Sequence, residues 1–171
     1  MRLKIIIFII LISTTYLFYN LSSKSKIKVK KITTNIKFES DVSSIKLYLC
    51  IEKYSKEYGV PIDYLKSIAY QETKYGGPND FNYYPEHISP GNALGPMQVQ
   101  LASARLFDNN IEKDDLLSDI DSNVRISAKI LRYLYNQYGD WQLAFGAYNT
   151  GHPVKNGYSK MVKDKDFKWK K

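Results

Sequence analysis

One glutamate stands on the apolar face of a predicted helix. Within a helix expected over residues 61–75, Glu72 occupies position i+7 of a series whose positions i, i+3 and i+4 are apolar: Leu65, Ile68 and Ala69. A carboxyl group beside an apolar surface loses hydration, so its pKa rises. At neutral pH it can then hold a proton and deliver it to a leaving oxygen. Taken alone, the same spacing fits a half-exposed glutamate near a helix end better.

A turn-rich segment offers groups that suit a carbohydrate. Residues 89–98 read SPGNALGPMQ, and the glycines and Asn92 tolerate the positive φ angles of tight turns. Met97 and Gln98 then place an apolar contact next to an amide. A sugar has apolar ring faces and hydroxyl edges, so this pair is suited to holding one, although the segment alone is a weak signal.

A third segment, residues 147–151, reads AYNTG. It places the phenol of Tyr148 and the amide of Asn149 at the C-terminal end of a helix, just before Gly151. By itself this arrangement is also typical of an ordinary helix end.

Taken together, the three segments resemble the lytic transglycosylases of the soluble-Slt type, which have a lysozyme-like fold. Glu-Thr at 72–73, Gly-Pro-Met-Gln at 95–98 and Ala-Tyr-Asn-Thr-Gly at 147–151 occur in the order and spacing of that family. The resemblance runs over roughly 100 residues, and it also includes a further set: Asn123, the stretch 131–134, Tyr158 and Val162.

The resemblance implies a role for each matching residue. Glu72 is expected to be the single catalytic acid/base, which in this family protonates the oxygen between N-acetylmuramic acid and N-acetylglucosamine. The muramoyl 6-hydroxyl then closes on C1 and leaves a 1,6-anhydro end, so one carboxylate suffices where glycosidases use two. The other expected site residues bind the glycan strand of peptidoglycan, orient Glu72 or support the groove: Met97, Gln98, Tyr148, Asn149, Thr73, Ser89 and Gly95.

The sequence also departs from the family pattern. Thr73 stands where serine is common, Pro96 where leucine is usual and Asn92 where glycine is usual, and the stretch 151–158 is short. Threonine keeps the hydroxyl, and proline is tolerated in a first helical turn, where it removes one backbone donor. None of these changes removes the acid.

Two other functions remain open at this stage. A lysozyme-type muramidase on the same fold would need a second carboxylate to activate water, for which Glu86 and Asp80 are the candidates. A non-catalytic wall-binding subunit of a secretion or conjugation apparatus would need no acid. The intact set of site residues argues against that third function: Glu72, Gln98, Tyr148 and Asn149.

The apolar pattern predicts an all-α domain of the lysozyme-like, goose-type or SLT, class. The sequence indicates no strand in the domain. Five helices are expected, over residues 43–58, 61–75, 96–107, 122–138 and from Asp140 to about Gly151. The first is expected to turn four side chains inward: Ile45, Tyr48, Leu49 and Tyr54.

The N-terminus has the pattern of an export segment. Arg2 and Lys4 precede an apolar stretch over residues 5–19. Residues 1–21 are therefore predicted to be a signal peptide or membrane anchor, 22–40 a linker and 41–171 the SLT domain. We expect export to the periplasm or the cell-wall side of the inner membrane. Lysines at 24–31 oppose the anchor orientation under the positive-inside rule.

Charge separates the tails from the domain. Residues 1–31 carry a net +7, residues 32–159 carry −3 and residues 160–171 carry +4, which together give the +8 of the chain. A nucleic-acid-binding domain would carry its basic charge on the folded surface, so no nucleic-acid partner is expected. The basic tails fit either attachment to anionic membrane or wall polymer, or simple solvation. The sequence identifies no protein partner.

Neither a cofactor nor a metal is expected. Cys50, His87 and His152 are too few for an all-protein zinc site. Acids between residues 108 and 119 match a calcium loop poorly, because Lys113 stands where glycine is required. Cys50 is predicted to lie in the core.

Overall fold

The first described helix, α1, covers residues 42–58. Its buried face consists of residues at helical spacing: Leu47, Cys50, Ile51 and Tyr54. The prediction that Ile45 and Leu49 point inward is wrong, since these side chains are 46% and 56% exposed. The buried residues and the exposed pair Ile45 and Leu49 both recur at i and i+4. The apolar spacing therefore identifies the helix but does not determine which of its faces packs against the core. Cys50 is buried as predicted.

The computed structural model of the chain describes residues 42–169, which lie within one compact unit, Ser40–Lys171. The predicted signal or anchor at 1–21 and the predicted linker at 22–40 lie outside the described residues. Within the described range, no helix is both long and apolar enough to cross a bilayer.

Six more helices follow α1 in the described residues, and the predicted all-α class is confirmed. The element that carries Glu72 is α2, and α5 is the long central helix. The elements in chain order are α2 (Ile62–Thr73), β1 (Ala93–Leu94), β2 (Val99–Gln100), α3 (Leu101–Arg105), α4 (Lys113–Ser118), α5 (Ile120–Tyr138), α6 (Trp141–Thr150) and α7 (Gly157–Lys163). Helix α6 packs against both α5 and α7, and α7 packs against α2.

The expected helix over 96–107 and the expected absence of strands are both wrong. Strands β1 and β2 pair antiparallel, with Leu94 opposite Val99, and residues 95–98 form the turn between them. Gly95 and Gln98 have φ angles of 71° and 50°, which no α-helix contains. The helix therefore begins only at Leu101.

Two helices that the apolar period did not predict are α4 and α7. Each is short and begins with a reciprocal cap. Asn156 accepts a hydrogen bond from the N–H of Ser159 (2.8 Å), while Ser159 Oγ accepts one from the N–H of Asn156 (2.9 Å). Glu112 and Asp115 form a similar pair at α4. A polar residue followed three positions later by another was the available sequence signal.

The described part of the basic C-terminal segment packs against the end of α2. The ring of Trp169 makes edge contacts with Tyr48 and Tyr75, both at 5.7 Å between centroids. Gln71 Nε2 donates to the carbonyl of Asp166 at 2.6 Å. This segment therefore supports the helix that carries Glu72.

Candidate active site

Glu72 lies in the last turn of α2 and lines a groove of about 850 Å³. The same helix buries Leu65, Ile68 and Ala69, so the predicted i, i+3, i+4, i+7 face is confirmed. Helix α2 ends at Thr73, after which Lys74 adopts a left-handed conformation with φ of 59°. This ending places the carboxyl group at the boundary between the core and the groove.

Two opposing influences act on the Glu72 carboxyl. Burial raises its pKa above the ordinary value, because the charged form loses hydration. The hydrogen bond from Tyr158 Oη to Oε1, at 2.6 Å, and the charge of Lys74 lower the pKa. Burial is the larger influence, so the pKa stays raised. The group therefore keeps its proton to higher pH than an exposed glutamate does.

Tyr158 belongs to α7, a helix absent from the sequence prediction. The cap between Asn156 and Ser159 fixes its start, and Ser159 and Val162 are buried against the domain. Sequence reasoning placed Tyr158 within the family resemblance but not among the site residues. In the structure it is the residue that donates a hydrogen bond to Glu72.

Tyr148 lines the groove and also contacts the turn at residues 95–98. Its hydroxyl donates to the carbonyl of Met97 at 2.7 Å and shares a hydrogen bond with Ser127 Oγ at 2.8 Å. Burial raises the pKa of Tyr148, and the nearby charge of Glu72 raises it further. The hydroxyl thus holds the backbone of the turn, while the hydrogen bond to Glu72 comes from Tyr158.

Asn123, within the core, holds both the turn at residues 95–98 and the end of the strand before it. Its Oδ1 accepts from the N–H of Met97 (3.0 Å), and its Nδ2 donates to the carbonyls of Leu94 and Leu116, both at 2.8 Å. Gly95 packs directly against this amide: a Cβ there would lie 2.4 Å from Asn123 Nδ2 and 2.4 Å from the Leu116 oxygen. Glycine at 95 is thus required by both φ and space.

The side chains of Met97 and Gln98 lie in different environments. The side chain of Met97 is fully buried, so only its backbone takes part in shaping the groove. Gln98 lines the groove, and its Nε2 donates to the carbonyls of Gly95 (2.9 Å) and His87 (3.1 Å). Thr73 Oγ1 donates to the Pro96 carbonyl at 3.0 Å, which ties the end of α2 to the same turn.

Ser89 and Asn149 both line the groove. Ser89 Oγ accepts from the N–H of Ala93 at 3.2 Å, and this contact closes a turn in which Asn92 has φ of 58°. Asn149 is exposed at the end of α6. The structure thus brings Glu72, Gln98, Tyr148, Asn149 and Ser89 to one groove.

The two candidate second carboxylates lie elsewhere. Asp80 is buried, 5% exposed, and its Oδ2 accepts from the N–H of Gly76 at 2.9 Å. Neither Asp80 nor Glu86 lines the groove. Of the groove-lining residues that the structure describes, Glu72 is the only acid.

Metal-ligating side chains do not cluster in residues 42–169. No group of three or more His, Cys, Asp or Glu in this range is placed to hold an ion. Asp108 is paired with Arg125 at 3.0 Å, and Glu112 with Arg105 at 2.9 Å. Asp108 and Glu112 thus have other partners.

Comparison with known proteins gives a family match and similar solved structures, and these confirm the predicted lysozyme-like class. The family model of the transglycosylase SLT domain matches residues 49–170. The lytic transglycosylase Slt of Pseudomonas aeruginosa, solved as an inactive mutant, has a TM-score of 0.51 at 22% identity over 60% of this chain. The 70 kDa soluble lytic transglycosylase of Escherichia coli has a TM-score of 0.50 at 25% identity over 68% of this chain.

The match covers only part of these larger proteins. It spans 16% of the Pseudomonas chain and 18% of the Escherichia chain. No curated protein matches the sequence. The comparisons therefore concern the domain that contains the groove.

Proposed function

Because the chain belongs to the transglycosylase SLT domain family, we propose that it is a peptidoglycan lytic transglycosylase with Glu72 as its single acid/base. Its substrate is the β-1,4 bond between N-acetylmuramic acid and N-acetylglucosamine. Its product is a glycan strand that ends in 1,6-anhydro-N-acetylmuramic acid. Support for this proposal comes from the groove and from the environment of Glu72.

The observation that carries the proposal is that Glu72 has no second acid beside it in the described groove lining. It is the only acid among the described residues that line the groove, and burial raises its pKa. An acid that keeps its proton to higher pH is better suited to protonate a leaving oxygen. Tyr158 donates a hydrogen bond of 2.6 Å to Oε1 of this carboxyl group, and Glu72 itself lines the groove.

The reaction requires one proton to travel in a cycle. Protonated Glu72 gives its proton to the glycosidic oxygen as the bond from that oxygen to C1 of the muramoyl residue breaks. The 6-hydroxyl oxygen of the same residue forms a new bond to C1. Its proton passes to the Glu72 carboxylate, which restores the acid, and no water is consumed. During the charged stage, the hydrogen bond from Tyr158 stabilises the carboxylate.

The absence of a second acid from the described groove favours internal attack over hydrolysis. An inverting hydrolase holds its base roughly 6.5–9.5 Å from the acid, and a retaining one about 5–5.5 Å. Asp80, which is bonded to Gly76, lies outside the groove lining, as does Glu86. The substrate's own hydroxyl is already held near C1, at a high effective concentration.

Mass spectrometry of the products tests the proposal. The full-length protein is incubated with purified peptidoglycan, and the released muropeptides are separated and weighed. An anhydro end is lighter than a reducing end by one water. Anhydro ends are expected with the unaltered protein and no release with Glu72→Gln. Reducing ends as the main product would identify a muramidase instead, and no cleavage at all would point to a wall-binding subunit.

We also propose that the protein is exported and acts on the wall from the periplasmic side. The support is the sequence of the N-terminus, where Arg2 and Lys4 precede the apolar stretch 5–19. The proposed substrate lies outside the cytoplasm, which is consistent with this location. Contact with the membrane through the N-terminus belongs to the same proposal.

A further inference from the structure

Trp169 lies directly against the chain that follows Glu72. A Cβ atom on Gly77 would lie 2.7 Å from Cε3 of the Trp169 ring, so glycine is required there for space as well as for its φ of 99°. The same ring makes an edge contact with Tyr75, at 5.7 Å between centroids. The segment over residues 75–77, which begins three residues after the acid, therefore packs against this ring.

The chain before the acid contacts the same C-terminal stretch, residues 166–169, which we call the C-terminal strap. Gln71 Nε2 donates a hydrogen bond to the carbonyl of Asp166 at 2.6 Å. Lys66 Nζ lies 4.8 Å from the centre of the Trp169 ring, within the range of a cation–π contact. The strap therefore contacts the chain on both sides of the acid.

The C-terminal strap continues the helix that carries Tyr158. Helix α7 ends at Lys163, and the N–H of Asp166 closes the following turn by donating to the carbonyl of Met161 at 3.0 Å. A helix of seven residues is too short to be stable alone, so the contacts at its two ends fix its position. Near the first end, Tyr158 donates its hydrogen bond to Glu72. Beyond the second end, the strap holds the chain around the same acid.

The C-terminal strap lies outside the groove. Residues 166–169 do not contribute to the groove lining that the structure describes. Trp169 is partly buried, and its Nε1 has no hydrogen-bond partner among the described residues. Its ring contacts with Tyr48, Tyr75 and Gly77 therefore hold it in place. A phenylalanine can keep such contacts without the loss of a hydrogen bond.

We propose that Trp169 is a positioning residue for the pair formed by Glu72 and Tyr158. It holds the chain after the acid against the segment that follows α7, and so keeps Tyr158 Oη within hydrogen-bond distance of the carboxyl group. This inference rests on the proposed function, since it assigns Trp169 an effect on the chemistry at Glu72. The effect reaches kcat, whereas KM depends on contacts in the groove and stays nearly unchanged.

A double-mutant cycle between Trp169 and Tyr158 tests this role in the full-length protein. Cleavage of soluble, uncross-linked peptidoglycan strands gives kcat and KM for Trp169→Ala, Tyr158→Phe and the double variant. Trp169→Ala should lower kcat roughly fivefold and change KM by less than about twofold. In the Tyr158→Phe background, the same substitution should lower kcat by less than about twofold, because the hydrogen bond that Trp169 positions is already gone.

Two further variants separate positioning from general stability. Trp169→Phe keeps the ring contacts and should restore most of kcat. Tyr58→Ala is the matched control: Tyr58 is partly buried at the C-terminal end of α1, stacks on Tyr54 at 5.9 Å between centroids and does not line the groove. Below the melting temperatures of both variants, Tyr58→Ala should keep its kcat although its fold is less stable.

The folded state of each variant is checked by circular dichroism before the cycle is measured. If Trp169→Ala does not match the unaltered protein, Trp169→Leu takes its place, because leucine keeps an apolar side chain against Gly77 but lacks the ring. The same non-additive loss of kcat is expected from that variant.

Three results would overturn the positioning role. They are an unchanged kcat in the Trp169 variant, losses that multiply fully in the double variant, and an equal loss of kcat in Tyr58→Ala. Each of them, combined with anhydro products from the unaltered protein, would leave the proposed function standing. If the unaltered protein released no products, the proposed function would fall and this inference with it.

Discussion

Tyr158 Oη donates a hydrogen bond of 2.6 Å to Oε1 of Glu72 and so joins α7 to the last turn of α2 across 86 residues of sequence. The hydrogen bond favours the carboxylate, while burial favours the protonated acid. A catalyst that first donates and then accepts a proton needs both its protonated and its ionised form to be accessible. This pair of residues therefore sets the balance between the two halves of the proposed reaction.

The variant Tyr158→Phe should raise the pKa of Glu72 further, because the carboxylate loses its donor. The alkaline limb of the pH dependence of kcat, which reports loss of the Glu72 proton, should move to higher pH. We expect kcat to fall roughly tenfold, because the carboxylate is less stabilised and less well oriented. The pH profile of peptidoglycan release measures both effects. A limb that stays in place, or moves to lower pH, would contradict the assignment, and Tyr138→Phe is the control.

Glu72→Gln should abolish the proton donor while keeping the shape of the side chain. Release of muropeptides is expected to fall by about 10²-fold or more. Circular dichroism of the variant must match the unaltered protein for the comparison to hold. Activity near the unaltered level would reject Glu72 as the acid.

We also expect Glu72→Gln to change how the stability of the fold depends on pH. The folded pKa of Glu72 lies above its ordinary value of 4.5, so the folded state binds the proton more tightly than the unfolded state. This contribution to stability is present below 4.5 and is lost as pH rises through the folded pKa. At neutral pH, the melting temperature of Glu72→Gln should therefore equal or exceed that of the unaltered protein. Melting curves between pH 4 and 7 test this, and a lower Tm for the variant at pH 7 would contradict it.

Gly95→Ala should destabilise the domain because it disturbs the turn at residues 95–98. The new Cβ would lie 2.4 Å from Asn123 Nδ2, and the residue would also keep a φ of 71°. We expect a loss of roughly 2–4 kcal/mol in the free energy of unfolding. Urea denaturation measures it. Gly139→Ala is the matched control, since its φ is 64° but nothing lies within 4 Å of its Cβ position, and it should cost only about 1 kcal/mol.

The positions of the groove residues were only partly predictable from sequence. Glu72 was found because Leu65, Ile68 and Ala69 mark one face of α2, and in this helix the marked face is the buried one. Met97 was expected to touch sugar, yet its side chain is in the core. The reason is that Asn123 binds the N–H of Met97 and forces a turn in place of a helix. That contact joins residues 26 positions apart, so it cannot be inferred from the spacing of neighbouring residues.

Tyr158 illustrates a second limit of sequence reasoning. Its helix, α7, has seven residues, too few for an apolar period to identify, and only its cap is visible in the sequence. The resemblance to known transglycosylases included the residue but did not reveal its partner. The hydrogen bond to Glu72 depends on how α7 packs against α2 and α6, which is a property of the folded chain.

Export is tested by a reporter that is active only in the periplasm, fused after Lys171. Activity is expected because Arg2, Lys4 and the apolar stretch 5–19 form an export pattern. The control is a fusion that lacks residues 2–21. Activity of a cytoplasm-dependent reporter alone would mean that the lysines at 24–31 had kept the domain inside, and the location proposed above would be wrong.

The position of Glu72 in the final turn of α2 has an electrostatic consequence. The aligned peptide dipoles of a helix give its C-terminal end a partial negative charge of about half an electron. A carboxylate in the final turn is repelled by that charge, typically by about 0.3–1 kcal/mol. The helix itself therefore disfavours the ionised acid, in the same direction as burial. Because salt screens this field mainly where water reaches it, the pH dependence of the enzyme should change only slightly with ionic strength.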